Sequence, residues 1–216
     1  VVRNMLDTDG FFLREAMSEV SEELRETAVY NTILTGLAEG RNTLQELYSH
    51  TGFSRAKISV YLKSLMELEL VEKVFSFDTE GHANTKKGYY RIKSHLVDFY
   101  YRFVYPHASD AELLSGKAFY EKYIEKDFRA FVDVHFKEIC REYMEGENTA
   151  GKLPFALTKI GEWIGKQGCV DIVGSTEGEN YLIGACFFMP MVTYELYEEL
   201  LLAAKQAKIA YSYIYL

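Results

Sequence analysis

The hydrophobic period of this chain changes at Leu70. Before it, apolar residues recur every three to four positions, at Tyr30, Ile33, Leu34 and Leu37 and again at Ile58, Leu62, Leu65 and Met66. After it, "VEKVFSF" at 71–77 and "YYRIK" at 89–93 alternate. The first spacing buries one face of a helix and the second one face of a strand, so helices must give way to a hairpin. Gly40 stops the first helix. Thr43, with Glu46 three residues on, is a capping box for a second, with Leu44, Leu47 and Tyr48 expected inward. "TGF" at 51–53 makes the turn, and Ser54 caps a third. Two helices joined by a short glycine-containing turn, then two strands around the loop "DTEGHANTKKG", spell a winged helix-turn-helix over 28–93.

Charge bears on what such a module binds. The chain carries a formal −8, which repels phosphate as a whole. Residues 28–93 are the exception, with nine Lys or Arg against seven Asp or Glu. Arg55, Lys57 and Lys63 fall on the outward face of the third helix, with no acid between Gly52 and Met66, and Lys86 and Lys87 lie in the wing. These five are the expected nucleic-acid-binding residues, with double-stranded DNA as partner. Winged helices also dock proteins and dimerise, so an interaction module or homo-oligomer is the alternative.

With 48% hydrophobic residues the chain has the means for a core, but no apolar run nears the roughly 18 residues that span a bilayer. A cytoplasmic location with no membrane partner is expected. Cys140, Cys169 and Cys186 and the five histidines lack metal-type spacing, so buried thiols are expected rather than disulfides, a metal or any cofactor. No G-x-x-x-x-G-K-[ST] stretch occurs.

"HLVDFYYRFVYPH" at 95–107 repeats Leu96, Val97, Tyr100, Tyr101 and Val104 at helical spacing, and 94–116 is expected as an aromatic connector packing between two halves. Residues 117–146 read as one long helix or two short ones, with Phe128, Phe131, Phe136, Ile139 and Tyr143 inward. Strand signals follow in "EWIG", "GCVDIVGS" and "YLIGACFFM", then a helix after Thr193 and a last strand in "IAYSYIYL". The fold class expected is α+β and α/β: the winged helix, then an α-β-β-β-α-β domain over 117–216.

That order, with Asp171 on the second strand, resembles the restriction-endonuclease-like fold of the PD-(D/E)xK nucleases. More narrowly, residues 10–204 resemble the C-terminal region of an archaeal and bacterial AAA-like ATPase family. The resemblance rests on "GFFLREAM" at 10–17, "YNTILTGLAEG" at 30–40, "ISVYLKSLMELELVEK" at 58–73, "FYYRFVYP" at 99–106, "KIGEWIG" at 159–165 and "VDIV" at 170–173. It implies an ATP-binding module ahead of this region, with residues 1–27 leading out of it and that module as a partner. The chain departs from the family at two places. Ser94 and His95 stand where the family tends to have Asp-Pro, and Gly184, Ala185, Cys186 and Phe187 stand where its strand often reads Gly-Glu-Cys-Lys.

A nuclease of that type needs carboxylates to hold Mg²⁺ and a lysine beside the attacked phosphate. Ala185 and Phe187 supply neither. Asp171, Glu138 and Glu142 remain as vestigial acids; the structural alternative for Asp171 is to cap a turn or pair with Lys166, and Lys205 on the last helix would have to reach across to replace the missing lysine. No catalytic residue is therefore expected, and the chain reads as a non-catalytic region of an ATPase; a metal-dependent nuclease is the further alternative.

Overall fold

The structure, a computed structural model, describes residue 6 and residues 27–79, 88–165, 168–177, 180–188 and 192–216. The described residues form two compact units, one running to Val74 and resuming from Tyr89 to Phe128, the other taking Phe75–Gly88 and Arg129–Leu216.

In the first unit, α1 (Thr27–Ala38), α2 (Leu44–Thr51) and α3 (Arg55–Glu67) precede β1 (Val71–Phe75) and β2 (Gly88–Ile92), which pair in a two-stranded sheet. The local signals act as read. The Thr43 N–H donates to Glu46 Oε2 at 2.9 Å and the Glu46 N–H to Thr43 Oγ1 at 3.3 Å, closing the capping box. Gly52 ends α2 at φ 70°, a left-handed conformation that suits glycine. Ile33, Leu34, Leu47, Ile58, Leu62 and Leu65 are fully buried between the helices. Tyr48, expected inward, is 41% exposed.

Ser94 answers the missing Asp-Pro, since its side chain accepts from the Val97 N–H and caps α4 (His95–Phe99). That helix widens into a π turn at Tyr100–Val104. The aromatic stretch is buried within this first unit: Tyr101 donates to Asn31 Oδ1 at 2.6 Å and Arg102 to the Ala38 carbonyl at 3.1 Å, both on α1. Two further helices follow, α5 (Ala108–Leu113) and α6 (Gly116–Tyr123).

The second unit is built on α7 (Glu125–Thr149), β3 (Lys159–Ile164), β4 (Cys169–Ser175), β5 (Tyr181–Gly184), α8 (Tyr194–Ala207) and β6 (Tyr211–Tyr215), in the α-β-β-β-α-β order read from the sequence. The sheet runs β3-β4-β5-β6, antiparallel twice and then parallel. Apolar residues fill both of its faces. Trp163, Val170, Val173 and Ile183 pack with Leu200, Ala203 and Ala204 of α8, while Ile172, Leu182 and Cys186 pack with Met144 of α7. The outer edge of β3 is covered by the turn at 76–79, where the buried Ser76 Oγ accepts from the Ile164 N–H at 2.9 Å and Lys159 donates to the Phe77 carbonyl at 2.5 Å.

On α7 the inward stripe differs from the expected one. Ile139 and Tyr143 are 55% and 64% exposed, and Phe128, Phe131 and Phe136 are only half-buried. Arg129, Asp133, Lys137, Cys140, Met144 and Asn148 face the sheet and its flanking loops, recurring at three- and four-residue steps along one side of the helix. The mixed polarity of this stripe hid it. The aromatics flanking it gave a stronger apolar signal on the wrong side.

Candidate functional site

Two places carry the sequence-derived candidates, one in each unit. On α3, Ile58, Leu62 and Leu65 turn inward, while Arg55, at the start of the helix, and Lys57 and Lys63 are exposed. Each has a local setting. The Arg55 guanidinium lies over the Tyr48 ring, 4.7 Å from its centroid, and donates to Gln45 Oε1. The Lys57 ammonium lies 4.5 Å from the Phe53 ring centroid. Lys63 stands 3.6 Å from Glu67 one turn on, an exposed pair of the kind that holds a cation only weakly. At the wing, two cations are instead paired with acids: Arg91 with Glu72 at 2.6 Å and Lys93 with Glu69 at 2.8 Å. Lys86 and Lys87 lie outside the described residues.

In the second unit, Asp171 sits on the α7 side of β4 because of a β-bulge. Gly161 pairs with Val173 and Trp163 with Val170, so Glu162 alone opposes both Asp171 and Ile172. The extra residue keeps Asp171 and Ile172 on one face while Val170 and Val173 share the other. Both oxygens of the carboxylate accept hydrogen bonds. Lys137 donates to Oδ1 at 2.6 Å, the Cys169 thiol to the same oxygen at 3.6 Å, and the Cys186 N–H to Oδ2 at 3.0 Å. Burial alone would lower the Lys137 ammonium's pKa, but the charge and hydrogen bond of Asp171, helped by Cys169 and Glu162, outweigh it and hold the group above the usual lysine value. Burial, then Cys140 and Asp171, push the Cys186 thiol far up.

Lys137 is the residue that sequence reasoning missed. The signal was a lysine three residues before Cys140 and seven before Met144, on one helix face. Lys166, the partner considered for Asp171, lies outside the described residues. Ala185 packs into the Trp163, Val170 and Ile183 cluster on the α8 side, whereas Cys186 joins Ile172 on the α7 side with Asp171. Phe187 is half-buried and Glu142 exposed.

A divalent cation does not fit these residues. Both oxygens of Asp171 are taken, one of them by an ammonium, and among the described residues no trio of His, Cys, Asp or Glu that includes Asp171 converges to ligating distance.

The described residues thus define a helix-turn-helix with a wing, followed by a sheet domain. Residues 31–73 match a family described as bacterial regulatory proteins of the ArsR family, and residues 100–194 match a family of archaeal and bacterial proteins of unknown function. The chain is 30% identical over 172 residues to a Methanocaldococcus jannaschii protein that bears the name uncharacterized protein MJECL04. The alignment takes 80% of this chain and 38% of that relative, so the chain spans well under half of the protein it resembles. No solved structure matches. Among the described residues, no helix is long and apolar enough to cross a membrane.

Proposed function

We propose that this chain is the DNA-contacting region of a larger ATP-dependent protein, in which the winged helix binds duplex DNA and the sheet domain is a non-catalytic relative of a nuclease fold. The observation that carries it is the outward side of α3, where Arg55, Lys57 and Lys63 are exposed in a stretch free of acids from Ser54 to Leu65. A helix so charged fits the major groove, with its cations on phosphates and base edges. The ArsR-type match over the same residues supports this. The engaged carboxylate of Asp171, with alanine and phenylalanine at 185 and 187, supports the absence of phosphodiester cleavage. The ATPase module is inferred from the family resemblance, and the relative's additional length leaves room for one.

Duplex binding measured across a salt series tests the first half. Wild type should weaken linearly in log–log form, and the triple variant R55A/K57A/K63A should bind more weakly with a slope reduced by about 2 to 3. Equally poor binding by both at low salt removes the DNA reading and leaves the protein-interaction module in its place. For the second half, duplex incubated with Mg²⁺ or Mn²⁺ should stay intact; cleavage abolished by D171A would reverse that half alone.

A further inference from the structure

The three cations of α3 are not equivalent. Arg55 opens the helix immediately after the Ser54 N-cap, and the first residues of a groove-entering helix come nearest to base edges. Its plane is fixed from two sides, by the Tyr48 ring at 4.7 Å and by the Gln45 amide oxygen. Gln45 is itself oriented, since its NH₂ donates to Ser49 Oγ at 3.3 Å and thereby turns the oxygen towards Arg55. The partner is a neutral amide, so the guanidinium is positioned without being neutralised, unlike Arg91 on Glu72. Of the five N–H donors, Gln45 accepts one, which leaves enough for a two-point contact. Phosphate tolerates a point charge in many orientations, and Lys57 and Lys63 suffice for that. A guanine edge, with O6 and N7 side by side, demands a planar fork held in place.

We infer that Arg55 reads a guanine edge in the major groove of duplex DNA, with Gln45 and Tyr48 as its positioning residues. The inference rests on the duplex-binding reading above and goes beyond it, because it assigns sequence preference to one side chain. Gln45, Tyr48 and Ser49 belong to α2, so the helix that packs across α3 also sets what α3 recognises.

The whole chain, wild type and R55K, is taken through selection from a randomised duplex pool, and the preferred duplex is then titrated with single guanines replaced by 7-deazaguanine, which lacks the N7 acceptor. Wild type should prefer guanine at one position and lose about tenfold in affinity when that base is replaced. R55K keeps the charge and should keep the salt slope, yet lose the preference. Y48L and Q45A should blunt it, while Y48F, which retains the ring face, should restore it. If R55K selects the same site as wild type, or suffers as much from 7-deazaguanine, Arg55 is a phosphate contact and the inference is overturned while duplex binding stands. If wild type binds no duplex at low salt, the binding reading itself falls and takes this inference with it.

Discussion

The Lys137 ammonium on α7 lies 2.6 Å from the Asp171 carboxylate on β4, joining the long helix to the second strand of the sheet. The carboxylate is 9% exposed and the lysine side chain 38%, so the pair is sheltered on one side and wet on the other. Removing the lysine is therefore far from equivalent to breaking a surface ion pair.

K137M should lower the stability of the protein by about 1 to 3 kcal/mol, because it strands a mostly buried carboxylate. Urea denaturation should show a lower midpoint at unchanged slope. Adding D171N to K137M should recover part of the loss, as the unpaired charge is then gone; strictly additive losses would mean that the two side chains are not coupled.

The pH dependence has a fixed sign. A lysine whose folded pKa is raised contributes stability that is complete below its unfolded value, about 10.4, and lost as pH rises through the folded value. The stability gap between wild type and K137M should therefore hold steady from neutral pH to about 10 and narrow above it. A gap that widens with alkalinity would contradict the assignment.

Thiol reactivity should sort by position. Cys169 is exposed, Cys140 half-buried and Cys186 buried, with the Cys186 thiol pushed up by burial and by Cys140 and Asp171. At about pH 8 an aromatic disulfide reagent should label Cys169 first, because it is the exposed thiol even though desolvation raises its pKa, and leave Cys186 unmodified until the chain unfolds, because the thiolate is the reacting form. Mass spectrometry of the labelled peptides gives the order.

Two local substitutions probe the helix-turn-helix. Thr43→Ala removes one half of the capping box and should cost about 1 kcal/mol. Gly52→Ala meets no atom within 4 Å, yet φ of 70° should make it cost about 1 to 2 kcal/mol through backbone strain alone. Thermal unfolding of each variant reads both, and Gly52→Asn should be milder than Gly52→Ala.

Much of this fold is written in short-range signals. Thr43 and Ser54 cap the helices they were read to cap, and Gly52 makes the turn, because a cap needs only neighbours in sequence. The α-β-β-β-α-β order likewise follows from changes of period. What escaped depends on contacts between elements. Tyr48 looks like core until Arg55 of the next helix is seen over its ring, and the inward side of α7 is set above all by Asp171 and Phe188, both far from it in sequence. The facing of residues 185 and 186 could be settled only by the register of β4 on β5, with Ile172 opposite Gly184, and by the seat of Asp171 beside Cys186.

The bulge in β4 sets what a side chain at residue 185 can reach. One surplus residue inverts the parity of the strand at Asp171, and Ala185 has settled into the oily layer beneath α8. A glutamate at that position would thrust a charge among Trp163, Val170 and Ile183 instead of delivering it to the aspartate. Bringing an acid from residue 185 to the side of Asp171 thus takes a shift of strand register, which no single substitution provides.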